Sequence, residues 1–290
     1  MSSNKIERIL CPVDFSETSA GGLRYANALA SCWGAKLTVI HAHSFQPPPY
    51  FTSSEMERLA HQVNESARAA AGRLRDFVRT TLGQVPSDVE IKVIEGLPDD
   101  VILDAIRTSG MHLVVMGTHG RGGFRHFLLG SVAERVLHSS EIPVLMVRPK
   151  AAQASGVPRL RNILCPVNDT PVALESLQIA SSIARCFQGT VTALHVEEER
   201  PQYPIQDLCA WIPSSERSGC TVRELTRRGS VPREVIALAA EQPCDLLVLG
   251  ATHRRFFDGT VIGGTVPPVV RHAPCPVLIV PRKENGKQGE

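Results

Sequence analysis

The stretch MGTHGRGGFRHFLLGSVAERV, residues 116–136, carries five glycines between a hydrophobic run typical of a strand and a run typical of a helix. Glycine lets a backbone approach a ligand closely and adopt positive φ at little cost. Gly130–Ser131 falls where a helix should begin, with Ser131 at the expected N-cap, and unpaired N–H groups there favour phosphate. Arg121 and Arg125 lie in the loop and can add charge-assisted contacts. The spacing indicates two anion-binding points, at Gly120 and at Gly130–Ser131.

Two other interpretations of this loop remain open. A purely structural glycine turn would also explain the composition, because the loop has no Gly-Lys-Ser/Thr ending and Arg125 stands where a GxGxxG fingerprint needs its last glycine. His119 and His126 suggest general-base chemistry. However, no Ser/His/Asp nucleophile arrangement and no HExxH motif accompanies them. The sequence therefore predicts no catalytic residue and no metal site.

The chain contains an internal repeat. The segment 8–43 resembles the segment 162–197 at a constant offset of 154 residues. The same offset pairs the cysteines of the two copies: Cys11 with Cys165, and Cys32 with Cys186. Further along, the offset falls to 133, so the second copy has lost about 21 residues from its middle.

Each copy alternates short β-branched strands with helical patterns, which is typical of a parallel sheet covered by helices. The first copy includes a long amphipathic pattern over 55–82, whereas the corresponding 197–220 is too interrupted by proline for a long helix. We predict an α/β protein of two repeated doubly wound domains, 1–150 and 160–290, each a five-stranded parallel sheet flanked by helices. Small residues in the linker 149–159 suggest a hinge. Such sheets bind ligands beyond the strand carboxyl ends.

Composition limits the classes of partner. The 290-residue chain has a net charge of +2, no signal-like start and no apolar run long enough to span a bilayer, so we expect a cytoplasmic protein with no nucleic-acid or membrane partner. Its eight cysteines include no CxxC pair. We interpret them as mostly packed, reduced thiols, including Cys244 and Cys275, with Cys209 and Cys220 the more reactive. A redox or metal role for the cysteines is the competing interpretation.

The pattern Gly-x-x-Gly, nine residues, Gly-Ser is met by Gly117, Gly120, Gly130 and Ser131. With CPVDFSE at the first strand and IPVLMV at the last, the chain resembles the universal stress protein family. The resemblance covers both halves and is that of a tandem member. It implies ATP binding in some members and none in others. It also implies that the last strands of the two domains pair antiparallel as an intramolecular pseudo-dimer, and a homodimer of chains is a further expectation.

The resemblance also implies a set of adenine-nucleotide-binding residues in the first half. They are Pro12, Val13, Asp14, Ala42, Met116, Gly117, Thr118, His119, Gly120, Arg121, Gly130, Ser131 and Val132. Asp14 would meet the adenine or ribose, although a cap or turn opening the first helix is its alternative role. Ala42 would cover the adenine, and the glycine loop would cradle the triphosphate. A triphosphate normally arrives with Mg²⁺.

The second half departs from this pattern. Asn168 replaces the aspartate, followed by Asp169, and His253 replaces the second glycine. The ungapped register places Gly263–Gly264 at the Gly-Ser positions, whereas a slide by one places Gly264–Thr265 there. In either register Pro267–Pro268 removes N–H donors from the first turns. We predict that the first half binds ATP in a regulatory role with at most slow hydrolysis. The alternative is a nucleotide-free interaction or chaperone-like module.

Overall fold

The computed structural model describes residues 5–43, 53–120, 129–153, 156–197, 219–251, 253–256 and 259–282. The first repeat contains β1 (Arg8–Pro12), α1 (Glu17–Trp33), β2 (Lys36–His43), α2 (Ser53–Leu82), β3 (Val89–Glu95), α3 (Pro98–Thr108), β4 (Leu113–Gly117), α4 (Ser131–Ser139) and β5 (Val144–Val147). The long amphipathic helix predicted over 55–82 is confirmed as α2. Among the described residues, no helix combines the length and apolar character needed to cross a bilayer.

The second repeat follows a short helix, α5 (Pro149–Ala152). It contains β6 (Asn162–Val167), α6 (Pro171–Phe187), β7 (Thr190–Glu197), β8 (Thr221–Arg228), α7 (Val231–Glu241), β9 (Leu246–Ala251), β10 (His253–Phe256), β11 (Gly259–Ile262), α8 (Val266–His272) and β12 (Val277–Pro281). The β10–β11 hairpin was not predicted. It stands where the first repeat has its glycine loop.

All strands except this hairpin form one ten-stranded sheet in the order β3-β2-β1-β4-β5-β12-β9-β6-β7-β8. Each repeat contributes five parallel strands, which confirms the predicted α/β class. The order reverses between β1 and β4, because β1 leads outward to β2 while β4 leads to β5. This reversal is a topological switch point, where neighbouring connections diverge and leave a crevice at the strand carboxyl ends.

The two five-stranded halves meet through antiparallel pairing of β5 with β12, the pairing that the resemblance implied. Leu145 faces Leu278 in the register, and both side chains are fully buried. Both belong to the hydrophobic core on the side of the sheet covered by α1 and α6. Both the sheet and the hydrophobic core therefore continue without interruption from one repeat into the other.

Placing a charge at this joint should destabilise the whole chain. Leu278→Asp buries an unpaired carboxylate beside Leu145, so we expect the free energy of unfolding in urea to fall by about 4 kcal/mol or more. Val157→Asp is the matched control, because Val157 is 79% exposed and should change stability by less than about 0.5 kcal/mol. Equal effects of the two substitutions would contradict the buried joint.

The helices α1 and α6, which cover the joint, each begin with an N-cap side chain that accepts a hydrogen bond from the first turn. In α1 the N-cap Ser16 accepts a hydrogen bond from the N–H of Ser19, and Gly34 ends the helix in the left-handed conformation with φ 63°. In α6 the N-cap Thr170 accepts from the N–H of Ala173. Trp33 Nε1 at the end of α1 donates to Ser182 Oγ of α6 at 3.3 Å. The helices of the two repeats are thus in direct contact.

The cysteine predictions are partly wrong. Cys11, Cys165 and Cys275 are buried thiols, as predicted, and burial raises the pKa of Cys11. Cys32 and Cys186, however, form a disulfide between α1 and α6. Equivalent positions of the two repeats meet where α1 lies against α6, and the repeat pattern alone does not predict that these helices are neighbours. Cys209 lies outside the described residues.

The linker prediction also needs correction. Residues 149–152 do not form a hinge but the helix α5, which packs against α1. Ala152 is buried, and its carbonyl accepts a hydrogen bond from Arg24. The close approach of Ala152 to Gly21 leaves no room for a larger side chain at that position of α1. The connection between the repeats is thus held against α1 by the close approach to Gly21, and Pro149 favours the start of α5.

Tyr25 makes the stability of this region depend on pH. Burial, with a smaller contribution from the charge of Asp245, raises the pKa of Tyr25 from 10 to about 12. A raised folded-state pKa means that the native state holds this proton longer, so stability is full below pH 10 and is lost as pH rises towards 12. We expect unfolding in urea to show a loss of about 2 kcal/mol over this window, and Tyr25→Phe to remove it. Identical pH profiles for the two proteins would contradict this assignment.

Candidate functional site

A cavity of about 500 Å³ opens at the switch point, between the carboxyl ends of β1, β2 and β4 and the start of α4. All but one of the predicted nucleotide-binding residues line it: Pro12, Val13, Asp14, Ala42, Met116, Gly117, Thr118, His119, Gly120, Gly130, Ser131 and Val132. The exception, Arg121, lies outside the described residues, as do Arg125 and His126. The fold therefore brings together residues that are up to 120 positions apart in the sequence.

Asp14 stands directly after β1, and a local turn sets its orientation. Its Oδ1 accepts hydrogen bonds from the N–H of Ser16 at 3.1 Å and from Ser16 Oγ at 2.6 Å. Phe15 between them adopts φ 66°, a left-handed conformation that costs a non-glycine residue about 1–2 kcal/mol. The Phe15 ring lies 4.3 Å from the His41 ring and 5.5 Å from the Phe77 ring, between centroids. Packing thus holds a strained turn that presents Asp14 to the cavity.

At two glycines near Asp14, an added side chain would force a neighbour to shift. A Cβ on Gly120 would lie 2.6 Å from Asp14 Oδ2, closer than atoms can approach. A Cβ on Gly117 would lie 2.8 Å from Thr18 Cγ2 of α1. Gly120 therefore lets the loop backbone contact the carboxylate, and Gly117 lets α1 pack against the end of β4.

The start of α4 differs by one residue from the sequence prediction. Gly130, not Ser131, is the N-cap, with φ −63° and ψ 147°, and Ser131 is the first helical residue. The Gly130 N–H donates to Thr118 O at 2.9 Å, which fixes the helix start against the end of β4. Among the described residues, no side chain caps this helix. The first turn of α4 lies at the cavity, and N–H groups at a helix start favour an anion.

The cavity lining also includes residues that the sequence analysis did not name. They are Ser19, Ile40, His41, Pro98, Ile102, Leu129 and Ala133. Pro98 and Ile102 begin α3, which follows β3, so the βα connection of β3 was the available signal for them. The cavity has an apolar surface next to the polar end formed by Asp14 and α4, made by Ile40, Ala42, Pro98, Ile102, Met116, Leu129 and Ala133.

Among the described residues that line the cavity, His41 and His119 are the histidines. His41 Nδ1 donates to the carbonyl of Val13 at 2.8 Å, which ties β2 to the residue before Asp14. His119 Nδ1 lies 2.9 Å from Thr118 Oγ1, a buried hydroxyl. Among the described residues, no group of three or more His, Cys, Asp or Glu side chains is arranged to hold a metal ion.

The equivalent region of the second repeat has different chemistry. Asn168 Oδ1 accepts a hydrogen bond from Thr170 Oγ1 at 2.6 Å, in place of the Asp14 carboxylate. The helix α8 begins at Val266 with Thr265 as N-cap, and Pro267–Pro268 follows in its first turn. The second repeat therefore offers a neutral side chain and fewer N–H donors.

Two repeats of a doubly wound α/β unit in one sheet, with a crevice at the switch point of the first, define the class as a tandem α/β repeat protein. A sequence model of the universal stress protein family matches residues 5–148 and 212–281. The chain belongs to the universal stress protein family.

Similar proteins cover either the whole chain or one repeat. A universal stress protein of Mycolicibacterium smegmatis is 25% identical over 288 residues, covering 94% of this chain and 96% of its own length. A universal stress protein of Thermus aquaticus is 32% identical over 146 residues, covering 48% of this chain and 97% of its own. The crystal structure of a universal stress protein from Archaeoglobus fulgidus matches with a TM-score of 0.72 at 21% identity, covering 97% of this chain and all of that one. The tandem organisation is thus shared with full-length relatives.

Proposed function

We propose that this chain is a cytoplasmic stress-response protein that binds ATP in its first domain, residues 1–150, and uses its second domain, residues 160–290, as a degenerate partner. The observation that carries the proposal is the switch-point cavity, which joins the carboxylate of Asp14 to the start of α4, a helix start that no described side chain caps. Its volume of about 500 Å³ lies within the range of about 300–1,000 Å³ occupied by ligand sites.

The chemistry of the cavity matches the parts of a nucleotide. The apolar side chains of Ile40, Ala42 and Ile102 suit a base, and Asp14 suits a ribose hydroxyl that donates to its Oδ2. The N–H groups that open α4 suit the phosphates, whose charge the helix dipole favours. A Mg²⁺ ion accompanying the triphosphate would be held chiefly by phosphate oxygens and water.

The site favours retention of ATP over rapid turnover. Fast phosphoryl transfer needs positioned cations and a group that orients the nucleophile. Among the described cavity residues there is no lysine or arginine, and the titratable groups are Asp14, His41 and His119. Asp14 Oδ1 already accepts a hydrogen bond within its own turn, and His41 Nδ1 already donates to the carbonyl of Val13. We infer a regulatory role in which bound ATP biases contacts with partners.

A second candidate is a nucleotide-free interaction module. It is favoured by one specific observation: Gly117 and Gly120 lie so close to Thr18 and Asp14 that a Cβ at either position would force these neighbours to shift, whether or not a ligand binds. On this alternative the glycines only shape the turn after β4.

Calorimetric titration of the full chain with Mg²⁺-ATP tests the proposal. We expect one ATP per chain, bound at the first repeat, because the second repeat lacks the carboxylate and has prolines in its helix start. A stoichiometry of zero would support the interaction module. A stoichiometry of two equal sites would contradict the proposed degeneracy of the second repeat.

A further inference from the structure

A second cavity, of about 840 Å³, lies between the repeats on the side of α1 and α6. Its lining includes Arg24 and Tyr25 of α1, Arg159 and Arg161 of the segment entering β6, and Cys186 of α6. It is separate from the switch-point cavity, with which it shares no lining residue.

The charges around this second cavity favour an anion. Three guanidinium groups and one carboxylate, that of Asp245, line it. Asp245 Oδ2 already accepts from the N–H of Arg161 at 3.0 Å, and from Asn162 N at 2.8 Å and Nδ2 at 3.1 Å. Among the ion pairs of the described residues, none uses Arg159 or Arg161. Their guanidinium groups are therefore available to bind carboxylates.

Of the two cysteines of the Cys32–Cys186 disulfide, only Cys186 lines this cavity. Cys186 is exposed and lines the cavity, whereas Cys32 is half-buried and does not line it. A thiolate attacks a disulfide sulfur and displaces the other sulfur as the leaving group. A thiol held in the cavity would therefore reach Cys186 and displace Cys32.

We propose that this cavity binds small thiols bearing carboxylate groups and directs them to Cys186 for thiol–disulfide exchange. The thiolate of the ligand forms a bond to Cys186 Sγ while the Cys32–Cys186 bond breaks, and the electron pair leaves on Cys32 Sγ, which takes a proton from water. The product is a mixed disulfide on Cys186 and a free Cys32 thiol. A second thiol molecule then releases Cys186 and leaves as the disulfide of the small thiol.

This site resolves a conflict between the disulfide and the expected cytoplasmic setting. Cytoplasmic disulfides are rare and mostly regulatory, and exposed ones are the labile class. A bridge between α1 and α6 that opens in response to an anionic thiol would link the association of the two repeats to the thiol pool. The proposal is independent of ATP binding at the first repeat.

The test compares mercaptoacetate, an anionic thiol, with cysteamine, a cationic thiol of similar size, acting on the oxidised full-length chain. Each rate of disulfide loss is divided by the rate at which the same thiol reduces a neutral small disulfide, which removes differences in intrinsic reactivity. We expect mercaptoacetate to be favoured about tenfold at low ionic strength, with the preference decreasing in salt. Peptide mapping should find the adduct on Cys186.

The double variant Arg159→Gln/Arg161→Gln should reduce the preference to about twofold or less. Arg79→Gln/Arg107→Gln removes the same charge from exposed sites outside the cavity and should leave the preference unchanged. Equal loss in both variants, an adduct on Cys32 in place of Cys186, or an oxidised chain without the Cys32–Cys186 bond would each overturn the proposal.

Discussion

Gly120→Ala is expected to weaken ATP binding about tenfold or more, measured by calorimetric titration. The added Cβ would lie 2.6 Å from Asp14 Oδ2, so either the carboxylate or the loop must move. The carboxylate cannot turn away freely, because its Oδ1 is held by two hydrogen bonds from Ser16. The substitution therefore disturbs the ribose-binding group and the phosphate loop together, while the core beneath them is unchanged.

Two further variants separate this effect from a general loss of stability. Gly72→Ala is the matched control, since a Cβ there has no neighbour within 4 Å, and it should bind ATP as the unmodified chain does. Asp14→Ala should itself weaken binding by about tenfold. Adding Gly120→Ala to it should then cost less than Gly120→Ala alone, because the clashing partner is gone. Additive losses, or wild-type affinity for Gly120→Ala, would contradict the proposed geometry.

The fold was predictable because its determinants are local and repeated. Alternating hydrophobic strands and helical stripes indicated the five sheet strands of each copy and their order along the chain, although not the β10–β11 hairpin, and parallel pairing follows from the helical connections between them. The residues gathered at the switch-point cavity were predictable for the same reason. Asp14 and Gly117–Gly120 each follow the end of a strand, and all parallel strands of one repeat end at the same edge of the sheet.

Features that depend on packing between distant segments were not predictable. The left-handed turn at Phe15 exists because His41 and Phe77 enclose its ring, and neither is near Phe15 in sequence. The one-residue difference at the start of α4 arises from the bond between Gly130 N–H and Thr118 O. The linker prediction failed because small residues suit a hinge and equally suit a helix packed closely on Gly21.

The disulfide shows how a correct repeat can still mislead. Matching Cys32 with Cys186 suggested two equivalent buried thiols, one in each repeat. The antiparallel pairing of β5 with β12 instead places the two repeats side by side so that α1 meets α6. The ends of these equivalent helices then face each other, and their equivalent cysteines come within bonding distance. The sequence shows that Cys32 and Cys186 occupy equivalent positions, but their contact depends on the way the sheet brings α1 and α6 together.

Removing this bridge should therefore cost more than an ordinary surface substitution. The cysteines are 154 residues apart, and a crosslink that closes so long a loop restricts the unfolded chain strongly. We expect Cys32→Ser/Cys186→Ser to lower the free energy of unfolding in urea by about 3 kcal/mol relative to the oxidised chain. The sheet joint at Leu145 and Leu278 remains, so the variant should still fold.

Reduction supplies the control, because it breaks the same bond without changing any residue. Dithiothreitol should destabilise the unmodified chain by the amount that the double serine substitution does, and should leave the double variant unaffected. If dithiothreitol destabilised both proteins equally, other thiol chemistry would be responsible. If it affected neither, noncovalent contacts such as the β5–β12 joint and the Trp33–Ser182 hydrogen bond would account for the association of the repeats. Agreement of the two measurements would assign the stabilisation to the covalent link between the equivalent helices.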